Sequence, residues 1–288
     1  ANDAISPTEM KAGTDGQIIT YDASGDPVVV GPGTDGQVLT STGAGSPPAF
    51  EAIPSSGYRN LIIGGAMNVA QRGTSSTADG IKTVDRFAFG YGGENEAPTQ
   101  AQHALTSSDT GPWAAGFRNS FHITNGNQTG GAGAGDYAQI IYKIEAQDLA
   151  NSGWDYTSTS SYITLSFWVK SSVAQTYYVR LNAEDASKAY SFAISVTTSW
   201  QKITKSIPGN SNLVVNNDNG CGIALYFIPF YGTNYTTSGH TNDSWITDSG
   251  SDQVTDMTST WWTTNDATFE VTGVQLEVGE VATDFEHK

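Results

Sequence analysis

Short runs in which apolar and polar residues alternate recur through residues 58–288, with polar turns between them. Alternation with a period of two indicates strands that bury one face. Residues 163–170 show it clearly, because Ile, Leu, Phe and Val fall on one face. About ten such runs predict an all-β sandwich or barrel. They cover residues 60–63, 86–89, 117–124, 137–145, 163–170, 177–182, 189–196, 200–207, 222–230 and 269–278.

Two short segments between these runs have other patterns. Residues 184–187 predict a hairpin loop, and residues 146–150 are the one hint of a helical turn. A region of about 230 residues is large enough for one jelly-roll sandwich with long loops.

Residues 1–57 carry an internal repeat. Gly-Thr-Asp-Gly-Gln at 13–17 returns at 33–37, and a short apolar run follows each copy. The offset of about twenty residues is at the lower end for stacked repeat units. One unit has too few apolar residues to bury a face, and two units are below the number that a solenoid needs. We therefore expect other chains to cover these residues, as in an intertwined homotrimer; the alternative is a disordered Gly/Ser linker.

The charge balance narrows the classes of ligand. The 288 residues include 13 basic and 29 acidic side chains, a net charge of −16. A surface this negative repels phosphate backbones and anionic lipids, so we expect neither nucleic-acid binding nor membrane insertion. The single cysteine, Cys221, forms no intrachain disulfide,. The 32 Gly and 10 Pro exclude a helical bundle,.

Several motifs resemble a known family. Residues 60–75, Asn-Leu-Ile-Ile-Gly-Gly-Ala-Met-Asn-Val-Ala-Gln-Arg-Gly-Thr-Ser, look like the opening strand of the C-terminal modules of tailed-bacteriophage tail-fibre and receptor-binding proteins. Residues 84–87, 165–172, 199–202, 207–209, 272–279 and 282–286 fit the same pattern in the same order. The chain departs from it at Ala70, where the family usually has Trp, and at Asp284, where it usually has Pro.

The resemblance implies an architecture and a role. It implies a shaft or attachment segment at 1–57 and a jelly-roll tip at 58–288 that is similar to carbohydrate-binding modules. It also implies a virion protein, made in the host cytoplasm, with other tail or baseplate proteins and a host surface glycan as partners. Two alternatives stay open: a structural fibre or capsid or baseplate decoration without a sugar site, and a polysaccharide-degrading tip.

Loop aromatics are the candidate glycan contacts. Sugars pack on aromatic faces while Asn, Asp and Thr satisfy their hydroxyls. Residues 226–262 combine these residue types without strand periodicity, which predicts loops, and loops carry much of the function of rigid sandwiches. The alternative for each ring is packing beneath loops or between subunits, and for Trp168 and Trp200 we expect packing. The candidates are Trp113, Tyr231, Tyr235, Trp245, Trp261 and Trp262.

Catalytic and metal-binding motifs find little support in the sequence. The four histidines lack metal-ligand spacing,, and no nucleophile elbow or phosphate loop is present. A carboxylate pair for glycan hydrolysis stays open among the 29 acids,. We expect a protein that is not an enzyme and needs no cofactor. Residues 216–220, Asn-Asn-Asp-Asn-Gly, have the oxygen chemistry of a structural calcium site, but a plain turn is the favoured interpretation.

Overall fold

The computed structural model describes residues 13–34, 37–52 and 59–288. The chain divides into two compact units, Ala1–Gly57 and Tyr58–Lys288. Among the described residues, no helix has the length and apolar character needed to cross a membrane.

The first unit contains two antiparallel hairpins. Strand β1 (Ile18–Tyr21) pairs with β2 (Pro27–Val30), and β3 (Gln37–Thr40) pairs with β4 (Ala49–Ala52). Each copy of the repeat makes the same side-chain bond before its strand. The side-chain oxygen of Gln17 accepts a bond from the Thr14 amide at 2.8 Å, and Gln37 does the same for Thr34 at 2.7 Å. The repeated Gln is therefore bonded in the same way at the start of each apolar run.

The apolar side chains of these hairpins are largely exposed. Ile19 and Val29 lie opposite each other in the β1–β2 pair and are 52% and 58% exposed. Val38 and Leu39 on β3 are exposed as well. Burial of such an apolar face would stabilise the protein, and the single chain does not gain that stabilisation. Homotrimer formation stays a prediction.

The second unit is an all-β sandwich of two six-stranded antiparallel sheets, as the residue pattern predicts. Sheet I has the order β13-β10-β16-β8-β7-β5, and sheet II has the order β15-β12-β11-β14-β9-β6. The elements are β5 Ser75–Ser76, β6 Phe87–Gly92, β7 Thr99–Ala104, β8 Asn119–Thr124, β9 Tyr137–Glu145, α1 Ala146–Ala150, β10 Tyr162–Ser171, β11 Gln175–Ala183, β12 Lys188–Val196, β13 Gln201–Pro208, β14 Cys221–Tyr231, β15 Trp245–Thr247, α2 Thr260–Thr263 and β16 Thr268–Val278.

The core lies between the two sheets. Alternation on β10 turns Ile163, Leu165, Phe167 and Val169 inward, and all four are fully buried. Phe167 meets Phe227 of sheet II edge to face, with ring centroids 4.9 Å apart. Period-two alternation thus sets which face of each strand forms the core.

Most strands lie where the alternation predicts them, and α1 matches the predicted helical turn. Residues 60–63 differ from the prediction, because Asn60 forms only an isolated bridge to Glu277. This segment lies beside the second half of β16, where the Leu61 amide donates to the Leu276 carbonyl. Strands β5, β7 and β15 were not predicted, since they are short or rich in polar residues.

Strand β16 carries a bulge at its middle. In its pairing with β10, Ser166 lies opposite Gln275 and Trp168 lies opposite Thr272, so β16 has one residue more between these pairs. Gly273, in the bulge, has a φ of 61°, which favours glycine,. The bulge lies on sheet I at the base of a cleft on the outer face, which Gly273 lines.

Candidate functional site

A cleft of about 270 Å³ opens on the outer face of sheet I. We call it the Trp168 cleft. Ser166 and Trp168 of β10 and Gly273 of β16 form its base. Ser166 and Trp168 are directed outward because the residues that alternate with them on β10 are directed into the core. The sandwich therefore holds the half-buried Trp168 ring on a rigid strand.

Two other segments form the walls of the Trp168 cleft. The β7–β8 loop contributes Phe117, and the C-terminal segment contributes Phe285, whose ring meets Phe117 edge to face at 4.8 Å. His287 in turn packs against Phe285 at 4.9 Å. Phe117 is buried, whereas Phe285 is half-buried. The cleft therefore combines several aromatic surfaces that face one small volume.

Two glycines let the walls approach the sheet. A Cβ added at Gly273 would lie 2.6 Å from the Phe117 ring, and one at Gly111 would lie 2.5 Å from Trp168. Real Cβ atoms do not approach other atoms so closely. The β7–β8 loop packs directly on the sheet because both positions lack a side chain.

Charged side chains of both signs lie at the rim. Lys202 on β13 and Asp284 in the C-terminal segment line the Trp168 cleft and are exposed. Across the part of the chain that the structure describes, neither takes part in a salt bridge. An amine and a carboxylate without such partners are available to donate to and accept from a polar ligand.

A second group of polar residues lies on the same sheet face. Asp109 accepts bonds from Lys170 Nζ and Trp200 Nε1, each at 3.0 Å, and from the Thr106 amide at 2.9 Å. Burial favours the neutral acid, but these hydrogen bonds outweigh it and lower the pKa of Asp109 to about 2,. The Lys170 ammonium also lies 4.9 Å from the centre of the Trp200 ring,.

Lys170 joins Asp109 to a buried glutamate. Its Nζ lies 3.2 Å from Glu270 Oε1, and Ser120 donates to Glu270 Oε2 at 2.7 Å. Burial opposes the charge of Glu270. Hydrogen bonding from His103 and Ser120, together with the neighbouring His122 ring, nevertheless holds the pKa of Glu270 well below its usual range. Glu270, His103 and His122 are the described His, Cys, Asp or Glu side chains close enough together to hold a metal ion.

Two predicted glycan contacts, Trp261 and Trp262, are part of the core. Both are fully buried on α2. Trp261 Nε1 donates to the Thr268 carbonyl at 3.1 Å, and Trp262 stacks on Phe230 with centroids 5.4 Å apart. Their rings have no face left for a sugar, which corrects the prediction. The stretch is polar in sequence because only its rings are directed into the sandwich.

Trp245 is also buried, which corrects the same prediction for it, and Tyr231 is buried although it lines a second cleft. Trp245 lies on β15, packs against Tyr190 with tilted rings whose centroids are 5.5 Å apart, and donates from Nε1 to the Pro208 carbonyl at 2.7 Å. Tyr231 ends β14 and hydrogen-bonds Gln139 through its hydroxyl. A second cleft of about 240 Å³ lies beside Tyr231, where Ala, Gly and Thr dominate the lining.

Tyr235 and Trp113 are half-buried, and the structure places them apart. Tyr235 packs against Tyr231 and Tyr137, with centroids 5.4 and 5.8 Å away. Trp113 belongs to the apolar cluster of Phe117 and Phe285 and carries the Arg118 guanidinium 3.8 Å above its ring. Of the six predicted residues, Trp113 is thus the one beside the Trp168 cleft.

The Asn-rich segment 216–220 forms hydrogen-bonded turns. Asp185 accepts from the backbone amide and the side chain of Asn216 at 2.9 and 2.7 Å. Asp218 accepts from the Gly220 amide at 2.9 Å. Asp218 thus closes a local turn within the segment.

Trp168 and the His103–His122–Glu270 group were not predicted as a site. The alternation of residues 163–170 places Trp168 on the outward face, which is the one signal that was available. The two histidines looked isolated because they lie on different strands, and only strand pairing brings them together. His103 lies opposite Ser120, one diagonal step from His122, on adjacent strands,.

No protein-family model and no curated protein matches the sequence. Among solved structures, the chain is similar to the enzymatically active domain of tailspike protein 4 of bacteriophage CBA120, at 9% identity and a TM-score of 0.41. That match covers 77% of this chain and 22% of the tailspike structure. The chain therefore spans about a fifth of that structure.

Two carbohydrate-binding modules are also similar. One is the family 11 module of a Clostridium thermocellum cellulosomal cellulase, at 13% identity and a TM-score of 0.32, covering 71% of this chain and 95% of the module. The other is TmCBM61, solved with β-1,4-galactotriose, at 6% identity and a TM-score of 0.36, covering 77% and 99%. Likenesses this distant assign no function to the chain.

Proposed function

We propose that this chain is a non-enzymatic appendage protein of a tailed-phage virion, whose sandwich binds a neutral glycan on the host surface in the Trp168 cleft. The observation that carries the proposal is the Trp168 ring at the base of the cleft, with Lys202 and Asp284 at its rim. The phage role is supported by the ordered motifs that run from residue 60 to residue 286.

The chemistry of the cleft suits a sugar ring. The aliphatic face of a pyranose packs on an aromatic face, and its hydroxyls need donors and acceptors around their edge. Trp168 and Phe285 supply the aromatic surface. Lys202 supplies a donor and Asp284 supplies a carboxylate that accepts from hydroxyls. The volume of about 270 Å³ is just below the usual range for small-molecule pockets, which favours a short stretch of glycan,.

Charge favours a neutral ligand. The chain carries a net charge of −16, which repels strongly anionic polysaccharides. The rim itself holds one basic and one acidic side chain, Lys202 and Asp284.

The number of carboxylates among the described lining residues of the cleft favours binding over hydrolysis. Hydrolysis of a glycosidic bond commonly uses two carboxyl groups that flank the bond. Of the described residues that line the Trp168 cleft, Asp284 is the one with a carboxylate.

The test is binding of the purified full chain to host cells and to a glycan array. We expect Trp168→Ala to weaken binding about thirtyfold, because removal of a stacking ring at a hot spot costs about 2 kcal/mol. Asp284→Asn should weaken binding as well and leaves the aromatic surfaces intact. Circular dichroism and the melting temperature establish that each variant is folded.

Tyr235→Ala is the matched control. It removes a half-buried ring beside the second cleft, so it separates the two candidate sites. Full binding by folded Trp168→Ala and Asp284→Asn, together with loss in Tyr235→Ala, would move the site to the second cleft. Full binding by all three variants would favour a structural fibre without a sugar site.

The first unit is proposed to join copies of this chain. Ile18, Ile19, Val29, Val38 and Leu39 are all at least 36% exposed in the single chain. A homotrimer would cover these side chains with the same residues of its other copies, and fibre-like proteins are commonly threefold. This supports residues 1–57 as the shaft or attachment segment, whose further partners would be tail or baseplate proteins.

A further inference from the structure

Three adjacent strands of sheet I place His103, His122 and Glu270 together on its outer face. Glu270 of β16 lies directly opposite His122 of β8, and His103 of β7 lies one diagonal step away. His103 Nδ1 lies 3.1 Å from Glu270 Oε2, and His122 Nδ1 lies 3.2 Å from Glu270 Oε1. Both imidazoles therefore direct the same ring nitrogen at one carboxylate.

One of these nitrogens has no hydrogen-bond partner. His122 Nδ1 is inaccessible to water, and its contact with Glu270 does not have the geometry of a hydrogen bond. Its other nitrogen, Nε2, lies 3.0 Å from Thr124 Oγ1. When Nε2 donates to Thr124, neutral His122 presents the Nδ1 lone pair to the Glu270 carboxylate. Two electron-rich atoms then face each other in a buried place, an arrangement that a cation between them would stabilise.

We propose that His103 Nδ1, His122 Nδ1 and Glu270 bind a divalent transition-metal ion of the Zn²⁺ class. Imidazole nitrogen and carboxylate oxygen are ligands that Zn²⁺ accepts, at about 2.0–2.2 Å. Ligands at that distance in a tetrahedron lie about 3.3–3.6 Å from each other. The two nitrogen-to-oxygen distances of 3.1 and 3.2 Å are slightly shorter than that separation, so a small outward movement of the side chains would admit the ion.

Neighbouring side chains form hydrogen bonds to two of the proposed ligands. Thr124 holds His122 through Nε2, and Ser120 donates to Glu270 at 2.7 Å. Outer hydrogen bonds of this kind orient metal ligands and set the imidazole tautomer. Three protein ligands leave a fourth tetrahedral position open. His103 is 48% exposed, so an ion can reach the site from solvent.

Lys170 works against the ion and provides a distinctive test. Its ammonium lies 3.2 Å from Glu270 Oε1, on the carboxylate that the ion would share. A positive charge at that distance repels a cation. Lys170→Gln removes the charge and keeps a hydrogen-bond donor. Because the repulsion is gone, this variant should bind the metal more tightly. A cation held elsewhere on this acidic chain would not respond to Lys170.

The experiment is calorimetric titration of the metal-stripped full chain with Zn²⁺ at neutral pH. We expect one ion per chain in a discrete transition, together with a higher melting temperature when the ion is present. His103→Ala and His122→Ala should each weaken binding by more than about tenfold. Thr124→Val should weaken it about 10- to 100-fold, the range found when outer partners of metal ligands are removed.

Cys221→Ser is the control, since a cysteine is another Zn²⁺ ligand and this one lies on sheet II. It should bind Zn²⁺ like the parent chain. Parent-like affinity in folded His103→Ala and His122→Ala would overturn the proposal, as would binding of several ions with no discrete transition. Because the probe is the metal alone, a negative result here leaves the glycan proposal standing, and failure of that proposal leaves the metal site standing.

Discussion

Asp109 is the residue that ties the β7–β8 loop to sheet I. A single carboxylate oxygen accepts from both Lys170 and Trp200. These bonds are stronger with the ionised acid and outweigh its burial, so the folded protein lowers the pKa of Asp109 from an ordinary 3.8 to about 2,. A lowered pKa in the folded state means stability that is fully present above about pH 4 and is lost as the pH falls towards 2.

Replacing Asp109 by Asn should make the free energy of unfolding depend less on pH in the acidic range. The free energy of unfolding of the parent should fall between pH 4 and pH 2, and Asp109→Asn should lose less of it over that interval. Urea denaturation at several pH values measures the difference. Parallel curves for the two proteins would mean that Asp109 is not held in its ionised form.

Aromatic residues show how far single positions can be predicted. The outward position of Trp168 follows from its neighbours on β10, because Phe167 and Val169 are directed into the core. What surrounds Trp168 does not follow, since Phe117 and Phe285 come from segments distant in the chain. For Trp261 and Trp262 the polar stretch around them predicted exposure. Their burial depends on tertiary packing at the end of the sandwich, which local pattern does not encode.

Strand β16 is central to sheet I and is buried on both faces. Val274 and Leu276 are directed into the core, while Gln275 and Glu277 on the opposite face are equally buried. The C-terminal segment covers that outer face, where Thr283 donates to Glu277 from its amide at 2.8 Å. The alternation predicted one buried face, and the second arises from the chain that returns over the sheet.

Leu276→Ala should therefore lower the free energy of unfolding by about 2–5 kcal/mol, because Leu276 is fully buried and its loss leaves a cavity,. Denaturant unfolding of the full chain measures the change. Val281→Ala is the control, since Val281 is 75% exposed and should change stability by less than about 0.5 kcal/mol,. Equal stability of Leu276→Ala and the parent would contradict the place of β16 in the core.

Strands with strong alternation were predictable to within a few residues. The predicted run 137–145 coincides with β9, and 163–170 lies within β10. Strand β7, Thr-Gln-Ala-Gln-His-Ala, was missed because both of its faces are polar or small. Its partner β8 supplies the hydrogen bonds that make it a strand. The proposed metal ligands His103 and His122 lie on this pair of strands, so the pattern of the sequence could not predict the site.

At the scale of the whole molecule, the exposed hairpins of the first unit predict self-association. Ile19 and Val29 form a cross-strand pair with more than half of each side chain exposed. We expect the parent to sediment as a trimer at micromolar concentration and the double variant Ile19→Ser, Val29→Ser to shift towards monomer in sedimentation velocity. The melting temperature of the sandwich should not change, because the two substitutions lie outside it.

Val281→Ser is the matched control for that double variant, as it removes an exposed apolar side chain from the second unit. It should sediment like the parent. A parent chain that is monomeric at micromolar concentration would count against the trimer. Deleting residues 1–57 should likewise abolish association and leave the jelly-roll unit folded.

Under the proposed function, the small Trp168 cleft has a consequence for host attachment. A cleft of about 270 Å³ would contact only a short stretch of a polysaccharide, so a single engagement would be weak and brief,. Copies joined through their first units would turn each later engagement into an intramolecular event at high effective concentration, and avidity can exceed single-site affinity by about 10²–10⁴. Under the proposed virion role, a particle that carried such clusters would release one sugar while the others held. It would thus be able to move across the cell surface before it stayed at one place.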